Sequence, residues 1–272
     1  MKAAPLTIMG KRLTIGSLRR WASPGYWLYP FDLAHPWPED FRVRPSEAVK
    51  STHGGDLEKI FLAHDGRQAD KWVHYLDAYD RHLAPYRGQA VRLLEIGVRH
   101  GGSLQLWREY FGPEATIYGV DIDQRCAAID NDADIAVRIG SQDDPGFLRS
   151  VVAEMGGVDV IVDDGSHLPR HQEASFDALF PLLADGGLYV VEDLHAAYWP
   201  PTGGLRRRGT FIERTKTLID GMHAWYYSRP APRQGKIAKS EIESICVHDS
   251  IVFIEKRHRQ RPVATAVGSE SF

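Results

Sequence analysis

The residues best equipped for chemistry fall in two acidic clusters. One is Val158-Asp-Val-Ile-Val-Asp163-Asp164-Gly-Ser-His167; the other, Gly187-Leu-Tyr-Val-Val-Glu192-Asp193-Leu-His195, places Glu192 28 residues after Asp164. Each follows an apolar run of the kind that forms a strand covered on both faces. The stretch between them has the length of one crossover helix with its loops, so the strands are expected to be parallel neighbours. Neighbouring strands lie about 4.8 Å apart. Asp164, Glu192 and Asp193 would then meet at the carboxyl edge of a sheet, where open α/β folds bind ligands. Crowded carboxylates repel unless a cation joins them, and an all-oxygen set favours Mg²⁺, Ca²⁺ or Mn²⁺ over zinc. The blander reading, acidic residues that cap the following helices, is the weaker one. His167 shares the Asp164 turn, and an imidazole with a reference pKa of about 6.5 suits removal of a proton near neutrality. Its alternative role is to position a carboxylate. Asp163 is assigned to the loop or the cofactor pocket rather than to the ion. His171, His195 and Tyr198 follow the same edge, where substrate contact and packing both remain open.

These clusters need a scaffold, and a strand–helix rhythm supplies one from residue 91 onward. Strands are expected over 91–96, 116–121, 135–139, 158–163 and 187–192, with helices between them. Residues 244–247 and 251–255 flank His248-Asp249-Ser250 and read as an antiparallel hairpin. A helix is expected over 68–83, with Trp72, Tyr75, Leu76 and Tyr79 on one apolar face whose aromatics pack in the core. The first strand runs through Glu95 into Gly97, Gly101 and Ser103 before a helix, so backbone can approach a nucleotide-type ligand at a helix amino terminus. The spacing departs from Gly-x-Gly-x-x-Gly because Arg99 stands where the second glycine would be. Asp121, ending the second strand beside Ile122, is the candidate for ribose hydroxyls. Ser141 and Gln142 follow the third strand as candidates near a base.

Composition narrows the class. At 272 residues with 43% hydrophobic residues the chain can bury a full core. Thirty-three basic against 36 acidic residues give a net charge of −3, which makes no electrostatic case for nucleic acid. Cys126 and Cys246 alone cannot form a disulfide framework, so a reducing, cytoplasmic setting is expected. No apolar run reaches the roughly 20 residues of a membrane span, and the amino terminus does not read as a secretory signal. Residues 1–67 read as an extension that serves as a lid or an oligomer contact, with aromatics and prolines concentrated over 21–45. Residues 68–260 form the catalytic domain and 261–272 a tail. The Arg206-Arg207-Arg208 run is read as a solvated charge run rather than an anion site.

Lys71-Trp72-Val-His-Tyr75-Leu, Leu94-Glu95-Ile-Gly-Val-Arg-His-Gly-Gly-Ser103, Gly119-Val-Asp-Ile-Asp123, Asp163-Asp-Gly-Ser-His167 and Glu192-Asp-Leu-His195 together resemble the metal-dependent sugar O-methyltransferases that tailor macrolides. Rhamnosyl O-methyltransferases, cephalosporin hydroxylase-like proteins and mycobacterial methylmannose polysaccharide methyltransferases belong to the same circle. The resemblance spans roughly residues 68 to 256. It implies a class I, Rossmann-like α/β sheet, mostly parallel with an antiparallel carboxyl-terminal hairpin, and S-adenosylmethionine as cofactor. It implies Mg²⁺ held by Asp164, Glu192 and Asp193, with His167 as general base. The implied acceptor is a small-molecule glycoside or an oligosaccharide, and the implied assembly a homo-oligomer. The first 60 residues depart from the family, being too short for the auxiliary domain of the mycinamicin type. A catechol or other phenolic O-methyltransferase is the nearest alternative, and an NAD-dependent oxidoreductase the next, disfavoured by its glycine spacing.

Overall fold

The computed structural model describes residues 7–8, 11–12, 54–130, 134–199, 202, 209–227 and 241–272. The aromatic 21–45 stretch and Arg206-Arg207-Arg208 lie outside the described residues. In chain order the principal elements are α1 (Asp56–Ala63), α2 (Val73–Leu83), β1 (Arg92–Ile96), α3 (Gly102–Phe111), β2 (Thr116–Asp121), β3 (Ile135–Ile139) and α4 (Pro145–Met155). There follow β4 (Val158–Asp163), α5 (Pro169–Leu179), β5 (Leu183–Val191), α6 (Phe211–Met222), β6 (Ile242–His248) and β7 (Ile251–Lys256). The strands form one sheet in the order β3-β2-β1-β4-β5-β7-β6. The first five are parallel, and β7 runs antiparallel to both β5 and β6.

Alternation along the strands divides the core into two layers, because successive side chains point to opposite faces. Leu93, Ile117, Val160, Val162, Leu188 and Val190 face one layer with Leu57 of α1, Tyr75 and Tyr79 of α2, and Leu104 and Trp107 of α3. Leu94, Ile96, Val120, Ile161, Tyr189 and Val191 face the other, with Leu148 of α4, Phe176 and Leu179 of α5, and Phe211 of α6. The sheet order reverses between β1 and β4, and Ile96 pairs with Asp163, which pairs with Val191. The loops after β1, β4 and β5 therefore emerge side by side at the carboxyl edge.

Local sequence explains the element ends. Asp144 caps α4, accepting from the amides of Gly146 at 2.8 Å and Phe147 at 3.1 Å, and Pro145 occupies the first turn, where no amide partner is needed. Two expectations shift. The helix expected over 68–83 starts at Val73, because Trp72 is extended at φ −63°, ψ 127° and the chain before it reaches for the acidic edge. β5 begins at Leu183 rather than at 187: Gly186, at φ +79°, reads as a turn but is absorbed beside a register shift opposite Val158 and Val160.

At the opposite, amino-terminal edge Arg92 grips Asp159 with Nε at 2.8 Å and Nη2 at 2.7 Å, and its backbone amide donates to the same carboxylate at 2.9 Å. Burial acts to raise the Asp159 pKa, but the Arg92 hydrogen bonds outweigh it and hold the carboxyl below its ordinary 3.8. Asp159→Ala is expected to cost about 2 kcal/mol, read as a lower midpoint in urea unfolding. Because the folded pKa is depressed, this stability is present above pH 3.8 and lost as pH falls through the folded value.

Candidate active site

The loops after β4 and β5 bring Asp164, His167 and Asp193 together, with one ligand-capable atom from each within 4.8 Å of the others. His167 Nε2 lies 3.6 Å from Asp193 Oδ2, and its Nδ1 is buried with no hydrogen-bond partner among the described residues. Glu192 points to the same edge but is engaged from below: Lys71 Nζ lies 2.6 Å from its Oε1, and the Tyr79 hydroxyl donates to that oxygen at 2.5 Å. Lys71 Nζ also bonds Asp164 Oδ2 and lies 3.6 Å from Glu95 Oε1. Asp193 Oδ1 accepts from the Tyr75 hydroxyl at 3.0 Å, whose oxygen also meets the carbonyl of Ser250 at 3.0 Å.

Burial raises the Glu192 carboxyl above its ordinary range and Asp164 pushes the same way, while Lys71 opposes them. Burial and Lys71 likewise compete at Glu95, whose pKa rises to about 7. Burial also acts against the Lys71 ammonium, yet Asp164, Glu192 and Glu95 outweigh it and keep its pKa above the ordinary lysine value. Backbone strain collects here too. Arg99, His167, Asp193 and Ser250 adopt positive φ between 50° and 65°, four of the five such non-glycine residues among those described. Strain of this kind persists where surrounding structure over-determines a functional geometry.

The residues assigned to a cofactor divide into a loop and its supports. Gly97, at φ +95°, lies so close to the Asp164 backbone that a Cβ would stand 2.2 Å from its carbonyl oxygen, which ties the glycine loop to the acidic turn. Gly101 takes φ +82° to start α3, and Ser103 Oγ donates to Glu95 Oε2 at 2.8 Å. Asp121 Oδ2 accepts from the amides of Val98 and Arg99, both at 2.9 Å, and Oδ1 accepts from Asp123 at 2.9 Å. Three of about four lone-pair sites on that carboxylate are thus taken. Beside it Ile122 is 72% exposed, an apolar surface against which a base could lie. Ser141 Oγ donates to Asp143 at 2.5 Å. Gln142 bridges loops instead of facing the opening: its Nε2 donates to Asp163 Oδ1 at 2.6 Å and its Oε1 accepts from the amide and hydroxyl of Ser166, both at 3.1 Å. Asp163 is fully buried, bonded also to Ser175 Oγ at 2.5 Å, and burial lifts its pKa to about 6.

Sequence reasoning gave no role to Lys71, the Tyr75 and Tyr79 hydroxyls, or Ser250, which meets His195 through the histidine amide at 3.1 Å and through Nδ1. A signal did exist for the tyrosines: Tyr75 and Tyr79 stand four apart, the spacing that stacks side chains on one helix face, whereas Lys71 precedes α2 and no helical spacing places it.

Residues 94–194 match the family model described as a methyltransferase domain. Similar curated proteins include 8-demethyl-8-(2-methoxy-alpha-L-rhamnosyl)-tetracenomycin-C 3'-O-methyltransferase of Streptomyces olivaceus, 38% identical over 213 residues that cover 74% of this chain and 54% of that protein. L-olivosyl-oleandolide 3-O-methyltransferase of Streptomyces antibioticus is 45% identical over 190 residues, covering 64% and 47%. Among solved structures, the MycE methyltransferase from the mycinamycin biosynthetic pathway, in complex with Mg and SAH, superposes with a TM-score of 0.67 at 35% identity, covering 75% of this chain and 55% of that one. The chain spans about half the length of the curated relatives it matches.

Proposed function

This chain carries a methyltransferase domain on the class I fold, and from that premise we propose that it transfers the methyl group of S-adenosylmethionine to a sugar hydroxyl of a glycoside, using Mg²⁺ at the acidic edge. The observation that carries this reading is the convergence of Asp164, Asp193 and His167 beside the glycine loop. Two carboxylates with ligand atoms in reach of one another, beside Glu192 and with Lys71 drawn to both Asp164 and Glu192, are chemistry suited to a hard divalent ion. Asp164, Glu192 and Asp193 are its proposed ligands. When bound, such an ion holds an acceptor hydroxyl and eases loss of its proton. The MycE complex, described as holding Mg and SAH, supports both cofactors, and the rhamnosyl and olivosyl relatives support a sugar acceptor.

The sulfonium methyl is already an activated electrophile, so the protein's part is to align the alcohol and remove its proton. His167 Nε2, facing Asp193, is the atom proposed to take that proton. Gly97 and Gly101 let the backbone approach the cofactor, Asp121 meets a ribose hydroxyl, and Ile122 covers the base. The defining experiment incubates purified protein with S-adenosylmethionine, Mg²⁺ or EDTA, and a panel of deoxysugar glycosides and catechols. Mg²⁺-dependent methylation of a glycoside is expected. Transfer to catechols alone would select the phenolic reading, and no transfer with nicotinamide binding would select the oxidoreductase.

An aromatic rim borders this edge. The His195 ring lies 5.6 Å from that of Trp72 and 4.5 Å from that of Trp199, both close to edge-on. Aromatic faces offer a sugar's C–H surface a broad apolar contact, and Trp199→Ala is expected to raise KM for the acceptor about tenfold with kcat little changed. Steady-state kinetics at saturating cofactor checks it; a fall in kcat at unchanged KM would remove Trp199 from acceptor binding.

A further inference from the structure

Lys71 is a charged residue of this edge that the function above does not use. Its side chain is 3% exposed, and its ammonium lies among carboxylates at the carboxyl ends of three strands: Glu95 within β1, Asp164 after β4 and Glu192 after β5. It enters from the extended segment before α2, and that segment is anchored. The Arg67 amide donates to Gln105 at 2.8 Å, and His64 Nε2 lies 2.7 Å from the Arg67 carbonyl. Gly102 has no side chain to obstruct it; a Cβ there would stand 2.3 Å from the Arg67 carbonyl oxygen. The cation is therefore delivered by a fixed strap rather than by a wandering side chain. Three carboxylates in a low-dielectric site need a positive charge whether or not an ion is present.

We propose that Lys71 is a tethered counter-cation that holds the acidic edge together in the metal-free protein and competes with the divalent ion for Asp164 and Glu192. The inference rests on the reading of this edge as a divalent-ion site. It separates this protein from small metal-dependent domains in which loss of the ion is loss of the fold. With the strap in place, the chain folds before it is loaded. The ion enters by taking over carboxylate oxygens that Lys71 already neutralises, which weakens its binding relative to bare carboxylates.

The test compares wild type, Lys71→Met and Lys71→Arg by calorimetric Mg²⁺ titration and by thermal melting in EDTA and in Mg²⁺, without S-adenosylmethionine or acceptor. Lys71→Met is expected to bind Mg²⁺ at least about tenfold more tightly than wild type, since a competing charge is gone. In EDTA it is expected to melt roughly 5 °C or more below wild type, and Mg²⁺ should restore most of that difference. Lys71→Arg should keep the wild-type melting point in EDTA. Unchanged or weaker Mg²⁺ binding by folded Lys71→Met overturns the proposal. If Lys71→Met does not fold in either buffer, Lys71→Arg decides: a wild-type melt supports the role of charge, and a melt lowered in EDTA overturns it. No methyl transfer is read, so an inactive protein that shows the exchange defeats the proposed function and not this inference. An active enzyme whose Lys71→Met variant binds Mg²⁺ like wild type does the reverse.

Discussion

On the proposed function, Asp164→Ala is expected to reduce Mg²⁺-dependent methyl transfer by about a thousandfold or more, because Asp164 would help to hold the ion that aligns the acceptor and eases its deprotonation. The fold should survive. Asp164 sits on a loop with its side chain 22% exposed, and Lys71 keeps Glu192 as a partner at 2.6 Å when Asp164 is gone. Glu192→Ala is a poorer probe of the same idea. It strips Lys71 and Tyr79 of a shared acceptor inside the core, so lost activity would be mixed with lost stability. The measurement is initial rate against Mg²⁺ concentration, with melting temperature as control. A rate near wild type at saturating Mg²⁺, from protein that melts normally, would remove the ion-centred mechanism.

The scaffold was largely legible in the sequence because it depends on periodicity. The strands Thr116–Asp121, Ile135–Ile139 and Val158–Asp163 fall where their apolar runs predict, and the antiparallel β6–β7 hairpin closes the sheet as expected. The acidic edge was legible for the same reason: parallel neighbours of known register must deliver their carboxyl-end residues to one place. What escaped was delivered by side chains crossing between distant elements. Tyr75 and Tyr79 satisfy the packing pattern and carry hydroxyls to Asp193 and Glu192 as well, two jobs that one hydropathy pattern cannot separate. Lys71 fell inside the helix expected over 68–83, whereas it lies in the segment before α2 with its ammonium among three carboxylates, a placement no hydropathy pattern carries. Gln142 and Asp163 fall near the expected cofactor pocket and share one hydrogen bond, with their other polar atoms going to Ser166 and Ser175, contacts set by how the β3 loop, the end of β4 and α5 come together.

His167→Ala is the second variant with a large expected effect, a fall in kcat of about a hundredfold to ten-thousandfold, the range over which a positioned general base contributes. The geometry leaves His167 two roles that this variant separates. Its Nε2 stands 3.6 Å from Asp193 Oδ2, and it belongs to the one trio of ligand-capable residues found among those described, so it could hold the ion or take the proton. The proton role is favoured by the hard oxygen chemistry of the neighbouring carboxylates, for which Mg²⁺ prefers oxygen to imidazole nitrogen. As a base, His167→Ala lowers kcat and leaves the Mg²⁺ dissociation constant within about twofold, because no ligand has been lost. As a ligand, the same variant weakens Mg²⁺ binding by roughly ten- to a hundredfold, and activity returns as Mg²⁺ is raised. Measuring kcat at saturating Mg²⁺ alongside calorimetric Mg²⁺ affinity decides the matter: recovery of rate at high Mg²⁺ would sink the base assignment, and a rate that stays low with unchanged affinity would sustain it.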